Sequence, residues 1–364
     1  MKNISIIGAG NIGTAMLAML SQRKDLNVTV YSSKKNLWKG SIKYRGIDNE
    51  SEWHTATNFR VTDDLAETVK NAEQIFVTLP SFLREKLIND IHEYIAANTL
   101  VAFIPGCGGV EFFCHKLIEK KCRIIGFDRV PSVSRIKEYG KSVEFEWKKS
   151  LRAAGLNVCG DEMKEICCTL SEELGLEFTP LENYLSITLT PANPLMHPVR
   201  LYSMFKDMKK EDIIDHNILF YGEWDDATSE CLFKCDDELQ ELSKALGVKD
   251  VISLRKHYES YTPEQMTTKM HSIPSFKKVQ SPLKYDENGH LKIDFNSRYF
   301  VEDFPFGICI LKGLADICGT KSEMISTIIN WYLKIINEPE NNIDILSKNG
   351  IKTKGDIRKF YNMK

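Results

Sequence analysis

The chain has 364 residues, of which 43% are hydrophobic and 27% charged, and its formal net charge is −2. At roughly 100–200 residues per domain, this length predicts two domains whose cores need no disulfide or metal staple. The near-neutral charge argues against nucleic acid as the main partner. No apolar run approaches the ~20 residues that span a bilayer, so we expect no membrane partner either.

The ten cysteines are scattered along the chain, and none lies in a CxxC pair. Cys167 and Cys168 are adjacent, whereas Cys231 and Cys235 are four residues apart, and neither spacing is that of a structural zinc site. We therefore expect no metal and interpret the thiols as reduced side chains of a cytoplasmic protein.

The first 31 residues alternate in a way that is typical of a nucleotide-binding unit. Residues 3–7 predict a strand, and the glycine motif GAGNIG follows at 8–13. Apolar residues then recur at helical spacing, and 27–31 predict a second strand. A strand, glycine turn, helix and second strand within about 30 residues form the context that a dinucleotide-binding fingerprint requires.

The rest of the chain divides into a part in which predicted strands and helices alternate and a part in which helices dominate. Apolar runs at 74–79, 99–104 and 122–127 predict further strands separated by helices, which indicates a parallel sheet covered on both faces. After about residue 162 helices dominate, and 275–296 predict a loop. Predicted helices cover 163–174, 230–246, 263–270, 305–318 and 321–337, the last opened by a Thr320/Glu323 capping box and followed by Pro339. We expect a dinucleotide-binding domain at 1–185 and a helical catalytic domain at 186–364.

Each residue type in the glycine motif suits a dinucleotide. Gly8 permits a tight turn, Gly10 lets the backbone approach a pyrophosphate, and Gly13 lets the helix pack on the strand. The helix start at Asn11 and Ile12 offers free N–H groups to the phosphates. The alternative is a purely structural glycine turn. Leu79 and Pro80, after a later strand, are expected near the nicotinamide.

The end of the second strand bears on the choice of cofactor. NAD enzymes usually carry Asp or Glu there, whereas this chain has Ser32, Ser33 and Lys34. Hydroxyls and a cation suit a 2′-phosphate, so the sequence favours NADP over NAD. The alternative is a solvated turn.

A second constellation lies in the helical half. Three prolines and His197 fall within residues 190–198. Pro198 fits the first position of a helix, which would place His197 at the helix N-terminus. Asp303 precedes another predicted helix and could cap it or partner His197. Taken separately, each residue could also be merely structural.

The motifs NPxxHP, with Asn193 and His197, and RYxxED ahead of PxG, with Arg298 and Asp303, resemble those of the octopine/opine (nopaline) dehydrogenase family. The matching positions are Asn193, Pro194, His197, Pro198, Arg298, Glu302, Asp303 and Gly307. The resemblance spans essentially the whole chain. It implies an α/β N-terminal Rossmann domain with a doubly wound parallel sheet, and an all-α C-terminal domain of the 6-phosphogluconate-dehydrogenase-like type.

The family's reaction is the NAD(P)H-dependent reductive condensation of an amino acid with a 2-oxo acid such as pyruvate, through an imine. By similarity, His197 is the general acid/base and Asp303 orients it. Arg298 would bind a substrate carboxylate, and Asn193 would help to place the substrate.

Two other functions stay open at this stage. Hydroxy-acid or ketopantoate-type reductases of the same superfamily use a lysine early in the second domain, but after Asn193 no lysine occurs before Lys206. A non-catalytic NADP-binding sensor would be expected to have lost His197 and Asp303.

Two further features keep alternatives open. The acidic segment from Glu223 to Asp226 could bind a cationic substrate group or simply start a helix. Apolar C-terminal helices could support a homodimer.

Overall fold

The structure is a computed structural model that describes residues 1–47, 51–337 and 344–363. The chain forms two compact units, Met1–Thr188 and Leu189–Lys364. The sequence predicted the boundary at 185/186.

The first unit is built on an eight-stranded sheet with the order β12-β11-β8-β7-β6-β1-β2-β5. Its central strands pair in parallel, as predicted. In contrast, β11 is antiparallel to β8, and the edge strand β12 pairs in parallel with β11. The strands of the unit are β1 Lys2–Ile7, β2 Leu26–Tyr31, β3 Ile42–Arg45, β4 His54–Ala56, β5 Arg60–Thr62, β6 Gln74–Val77, β7 Leu100–Phe103, β8 Arg123–Phe127, β9 Ser132–Glu138, β10 Ser142–Trp147, β11 Ser150–Gly155 and β12 Glu177–Pro180.

Helices cover the sheet and complete its core. Ile6, Val30, Phe76 and Ala102 on neighbouring strands are fully buried in one hydrophobic cluster. Strands β6 and β7 at the centre of the sheet are buried along their whole length, as expected for a sheet covered on both faces, whereas β2 alternates between buried and more exposed residues. The helices of this unit are α1 Asn11–Leu20, α2 Leu65–Lys70, α3 Ser81–Ile91, α4 His115–Glu119, α5 Gly160–Leu174 and α6 Leu185–Thr188.

A second, four-stranded sheet with the order β4-β3-β10-β9 was not predicted. Its members β3 and β4 are only four and three residues long and show no clear alternation of buried and exposed residues. Strands β9, β10 and β11 follow one another within residues 132–155.

In its described residues, the regular structure of the second unit is helical apart from a small hairpin. It contains α7 Asn193–Phe205, α8 Asp226–Leu246, α9 Leu254–Tyr258, α10 Pro263–Ser272, β13 Leu283–Tyr285, β14 Leu291–Ile293, α11 Arg298–Val301, α12 Cys309–Cys318, α13 Glu323–Ile336, α14 Ile345–Lys348 and α15 Lys354–Phe360. The hairpin β13–β14 lies in the segment predicted as a loop. It was missed because each strand has only three residues.

Two predicted helix starts were wrong. Helix α7 begins at Asn193, so Pro198 lies inside it and His197 is its fifth residue. Proline is tolerated at Pro194 in the first turn, which moves the start upstream. Helix α13 begins at Glu323 after Ser322, without a side-chain cap, and the Thr320 hydroxyl instead donates to the Ala315 carbonyl. Pro339 lies outside the described residues.

Candidate active site

The glycine turn between β1 and α1 has the geometry of a dinucleotide site. Gly8 has a φ of +115°, which a side chain rarely permits. A Cβ on Gly13 would lie 1.7 Å from the Gly8 carbonyl oxygen, so only glycine allows this close packing. A Cβ on Gly10, in contrast, would have nothing within 4 Å. The space beside Gly10 and the start of α1 therefore fits the pyrophosphate of NAD(P).

Neighbouring side chains fix this turn. The Asn11 carboxamide oxygen accepts a 2.8 Å bond from the Ile136 N–H on β9, which ties the start of α1 to the second sheet. Ile12 is partly buried against the core of the unit. Because the side chains of Asn11 and Ile12 are engaged within the unit, we expect these residues to contact the cofactor through their backbone N–H groups.

The loop after β6 lies against the same turn. The Thr78 hydroxyl donates to the Gly8 carbonyl at 2.9 Å, and a Cβ on Gly8 would lie 3.2 Å from the Leu79 side chain. Pro80 follows Leu79 and precedes α3. From α3 the buried Arg84 donates to the Leu79 carbonyl at 3.0 Å. The structure thus brings Leu79 next to the predicted glycine motif, and Pro80 follows it in the chain.

The loop after β2 corrects part of the prediction for the 2′-phosphate. Ser32 is only 2% exposed. Its hydroxyl lies 2.9 Å from the Tyr139 hydroxyl and accepts a bond from the Trp38 indole N–H at 3.3 Å. This hydroxyl is therefore engaged inside the unit. Ser33 and Lys34 are exposed, and the Lys34 ammonium lies 5.6 Å from the Tyr139 ring centroid.

His197 and Asp303 meet directly within the second unit, although 106 residues separate them. Nδ1 of His197 donates to Oδ2 of Asp303 at 2.8 Å, because a carboxylate can only accept. Both side chains are largely buried, with 11% and 13% exposure. Burial raises the pKa of Asp303, whereas the charge and hydrogen bond of His197 act in the opposite direction.

The local backbone explains how Asp303 reaches His197. Asp303 precedes a single π-helical turn, Phe304–Ile308, and its side chain makes no capping hydrogen bond. Of the two roles that the sequence left open for Asp303, the structure shows the partner of His197 and no side-chain cap. A Cβ on Gly307 would lie 2.7 Å from the Pro194 side chain, so glycine lets this turn pack on the start of α7.

Three aromatic residues that the sequence analysis missed surround the His197 imidazole. The Tyr221 hydroxyl lies 3.0 Å from Nε2 of His197. The Tyr299 and Phe220 rings lie 4.6 and 5.4 Å from the imidazole, measured between centroids. Tyr299 is the tyrosine of the RYxxED motif, but the sequence analysis gave it no role. Nothing in the local sequence marked Tyr221, which a loop brings back to α7.

Arg298 and Asn193 flank this pair without a direct bond to it. The Arg298 side chain is 67% exposed and bonds to one Glu302 carboxylate oxygen through Nε at 2.8 Å and Nη2 at 2.7 Å. Its charge is close enough to lower the pKa of Asp303 slightly against the effect of burial. Asn193 is exposed and is the first residue of α7, one turn before His197.

The competing interpretations can be compared with the same geometry. Lys206 caps the far end of α7, nine residues and so about 14 Å along the helix from His197. Asp225 caps α8 by accepting a bond from the Thr228 N–H at 2.8 Å, which supports the interpretation of residues 223–226 as a helix start.

Among residues 1–47, 51–337 and 344–363, no cluster of three or more His, Cys, Asp or Glu side chains is arranged to hold a metal. Within the same ranges, no helix is long and apolar enough to cross a membrane.

Comparisons with known proteins match both units. Residues 180–336 match the family model of the NAD/NADP octopine/nopaline dehydrogenase α-helical domain, and residues 4–105 match that of ketopantoate reductase PanE/ApbA. The tauropine dehydrogenase of Arabella iricolor is 25% identical, with 92% of this chain and 91% of that protein covered.

Two solved structures share the fold across the whole chain. An octopine dehydrogenase structure with NADH and L-arginine has a TM-score of 0.83 at 20% identity and covers 98% of each chain. An NADP⁺-bound yersinopine dehydrogenase has a TM-score of 0.71 at 14% identity and covers 99% of each chain. With both units matched in order, the chain is similar to octopine and opine dehydrogenases along its length, and the matches indicate an NAD(P)-dependent oxidoreductase.

Proposed function

We propose that this protein condenses the amino group of an amino acid with the carbonyl of a 2-oxo acid such as pyruvate and reduces the resulting imine. The observation that carries the proposal is the 2.8 Å bond between Nδ1 of His197 and Asp303, in a chain that is similar to opine dehydrogenases along its length. A histidine oriented by a buried carboxylate can give and take one proton, which both directions of the reaction require.

NAD(P)H supplies the hydride when it is bound. We propose that Gly8, Gly10 and Gly13 with the start of α1 hold its pyrophosphate, and that Leu79 and Pro80 border its nicotinamide. The open space at Gly10 supports the first assignment. The contact of Leu79 with the glycine turn supports the second.

The substrate carboxylates need a cationic partner, and the substrate must be oriented next to His197. Arg298 presents an exposed guanidinium on the same short segment as Asp303 and is assigned to a substrate carboxylate. Its existing bond to Glu302 holds the guanidinium in place while leaving further N–H donors for the ligand. Asn193, one helical turn before His197, is assigned to substrate placement.

NADP is the preferred cofactor in this proposal. The strand β2 ends at Tyr31 without a carboxylate, and the exposed Ser33 and Lys34 follow it. A nearby carboxylate, Asp63, is paired with Lys35 at 3.2 Å. A cation and a hydroxyl at this place favour a 2′-phosphate over a free ribose hydroxyl. Ser32, with its hydroxyl bonded inside the unit, is left out of this role.

We also infer that the protein acts in the cytoplasm, an expectation supported by ten scattered cysteines without a CxxC pair. A homodimer stays a prediction.

The test follows oxidation of NADPH, and of NADH in parallel, with pyruvate and a panel of common amino acids, each partner also being supplied alone. Oxidation that requires both partners is the expected result. Oxidation with the oxo acid alone would indicate a hydroxy-acid reductase and contradict the proposal.

A further inference from the structure

The imidazole of His197 already has a partner on each nitrogen. Nδ1 donates to Asp303, so in the neutral ring Nε2 is the accepting nitrogen, and the Tyr221 hydroxyl donates to it at 3.0 Å. Phe220 packs edge-on against the ring at 89°. A substrate group therefore cannot take the Nε2 lone pair while the Tyr221 hydroxyl bonds to it.

Stacking holds the Tyr221 ring in this place. Its ring is nearly parallel to that of Phe276, at 13° with the centroids 4.0 Å apart. It is also nearly parallel to Trp224, at 15° and 5.9 Å. Tyr221 is 6% exposed. Contacts of this kind favour a fixed ring over one that swings aside.

A buried arginine holds the loop that carries Tyr221. Arg200 lies on α7, three residues after His197, and is 3% exposed. Its guanidinium donates to the Phe220 carbonyl at 2.7 Å and to the Glu223 carbonyl at 2.8 Å. Burial lowers the pKa of Arg200 to about 10, so the group stays charged at neutral pH. The helix that presents His197 therefore also fixes the loop on both sides of Tyr221.

We infer that Tyr221 is a further catalytic residue, and that Asp303, His197 and Tyr221 form a proton relay whose outer member is the Tyr221 hydroxyl. Because Nε2 is covered by a phenol that is held in place, a proton that reaches the substrate passes through the phenol oxygen. This inference rests on the proposed function.

The proton balance is simple in the condensing direction. The amine adds to the carbonyl to give a carbinolamine, whose hydroxyl takes the Tyr221 proton and leaves as water. The Tyr221 oxygen takes the proton from Nε2 of the charged His197, which becomes neutral and keeps its bond to Asp303. The iminium carbon then accepts the hydride and the secondary amine is formed. One proton is consumed per turnover: the relay delivers it to the leaving hydroxyl, and His197 takes up a proton from solvent before the next turnover.

The test compares Tyr221→Phe with the wild-type protein in the two-substrate assay. This change keeps the stacked ring and deletes only the hydroxyl. We expect kcat to fall about 10²-fold, the lower end for general acid catalysis, while both substrate KM values stay within about threefold and the solvent deuterium isotope effect on kcat increases. The matched control is Tyr258→Phe, which deletes a buried hydroxyl that contacts Met196 on the same helix, and whose kcat should stay within about twofold of wild type.

Three results would overturn the relay. If the kcat of Tyr221→Phe stayed within about twofold of wild type, the hydroxyl would have only a structural role. A raised KM at unchanged kcat would make it a binding group. If the variant is unstable, a proton inventory on the wild-type protein decides: the relay predicts a curved dependence of kcat on deuterium content, and a straight line contradicts it. If the wild-type protein oxidised NAD(P)H with none of the pairs of amino acid and 2-oxo acid, the proposed function would be overturned, and the relay with it.

Discussion

The glycine turn of the first unit and the His197 site of the second are assembled in opposite ways. The turn is local: Gly8, Gly10 and Gly13 act through the backbone within six residues. The His197 site joins side chains that are 106 and 24 residues away in the sequence. A short motif can therefore identify the first site, whereas the second requires knowledge of how helices and loops pack.

The largest expected effect is at His197. His197→Ala should lower kcat about 10²–10⁴-fold, because the reaction loses its acid/base group. NADPH binding, measured by fluorescence titration, should change little, since the glycine turn lies in the other unit. His197→Asn provides a matched variant that can still donate to Asp303 and should be equally slow. Full turnover in either variant would remove His197 from the mechanism.

Arg298 tests whether the second site also binds substrate. Arg298→Ala should raise the KM for the 2-oxo acid roughly 10–100-fold, which corresponds to losing a charged hydrogen bond of about 1.5–3 kcal/mol. Arg255→Ala removes a guanidinium paired with Asp237 and serves as the control. A KM that does not change would place the substrate carboxylate elsewhere.

Two alanine substitutions separate folding from binding in the glycine turn. Gly13→Ala places a Cβ 1.7 Å from a backbone oxygen, so we expect a loss of about 1–3 kcal/mol in the free energy of unfolding, measured in urea. Gly10→Ala meets nothing within 4 Å and should unfold like wild type. Its methyl group should nevertheless raise the Kd for NADPH about tenfold, or 1.4 kcal/mol. Equal destabilisation by both changes would contradict the division of roles.

The smallest expected effect concerns the cofactor. Ser33→Asp combined with Lys34→Ala introduces a ribose acceptor and removes a cation, so the ratio of kcat/KM for NADPH to that for NADH should fall by several-fold to about tenfold. The control is Ser32→Ala, whose hydroxyl is bonded inside the unit and which should leave the ratio unchanged. Persistence of an NADP preference in the double variant would refute the assignment at the end of β2.

The same contrast explains what the sequence could predict. The strands β6, β7 and β8 were predicted because each lies in a short apolar run, and the helices α8, α10, α12 and α13 because their apolar spacing is regular. The short helices α9, α11, α14 and α15 were not predicted, since four to seven residues show too little periodicity. The pair His197–Asp303 was suggested by family motifs. Tyr221 could not be predicted, because its position depends on Arg200 binding loop carbonyls. The hydroxyl of Ser32 appeared available until packing placed Tyr139 and Trp38 against it.

The most direct test of the central claim is mass analysis of the product formed from NADPH, pyruvate and a ¹⁵N-labelled amino acid. We predict a secondary amine that contains both carbon skeletons and retains the ¹⁵N label, formed in equal amount to the NADPH oxidised. Formation of a 2-hydroxy acid with the labelled amino acid unchanged would contradict reductive condensation and indicate simple carbonyl reduction.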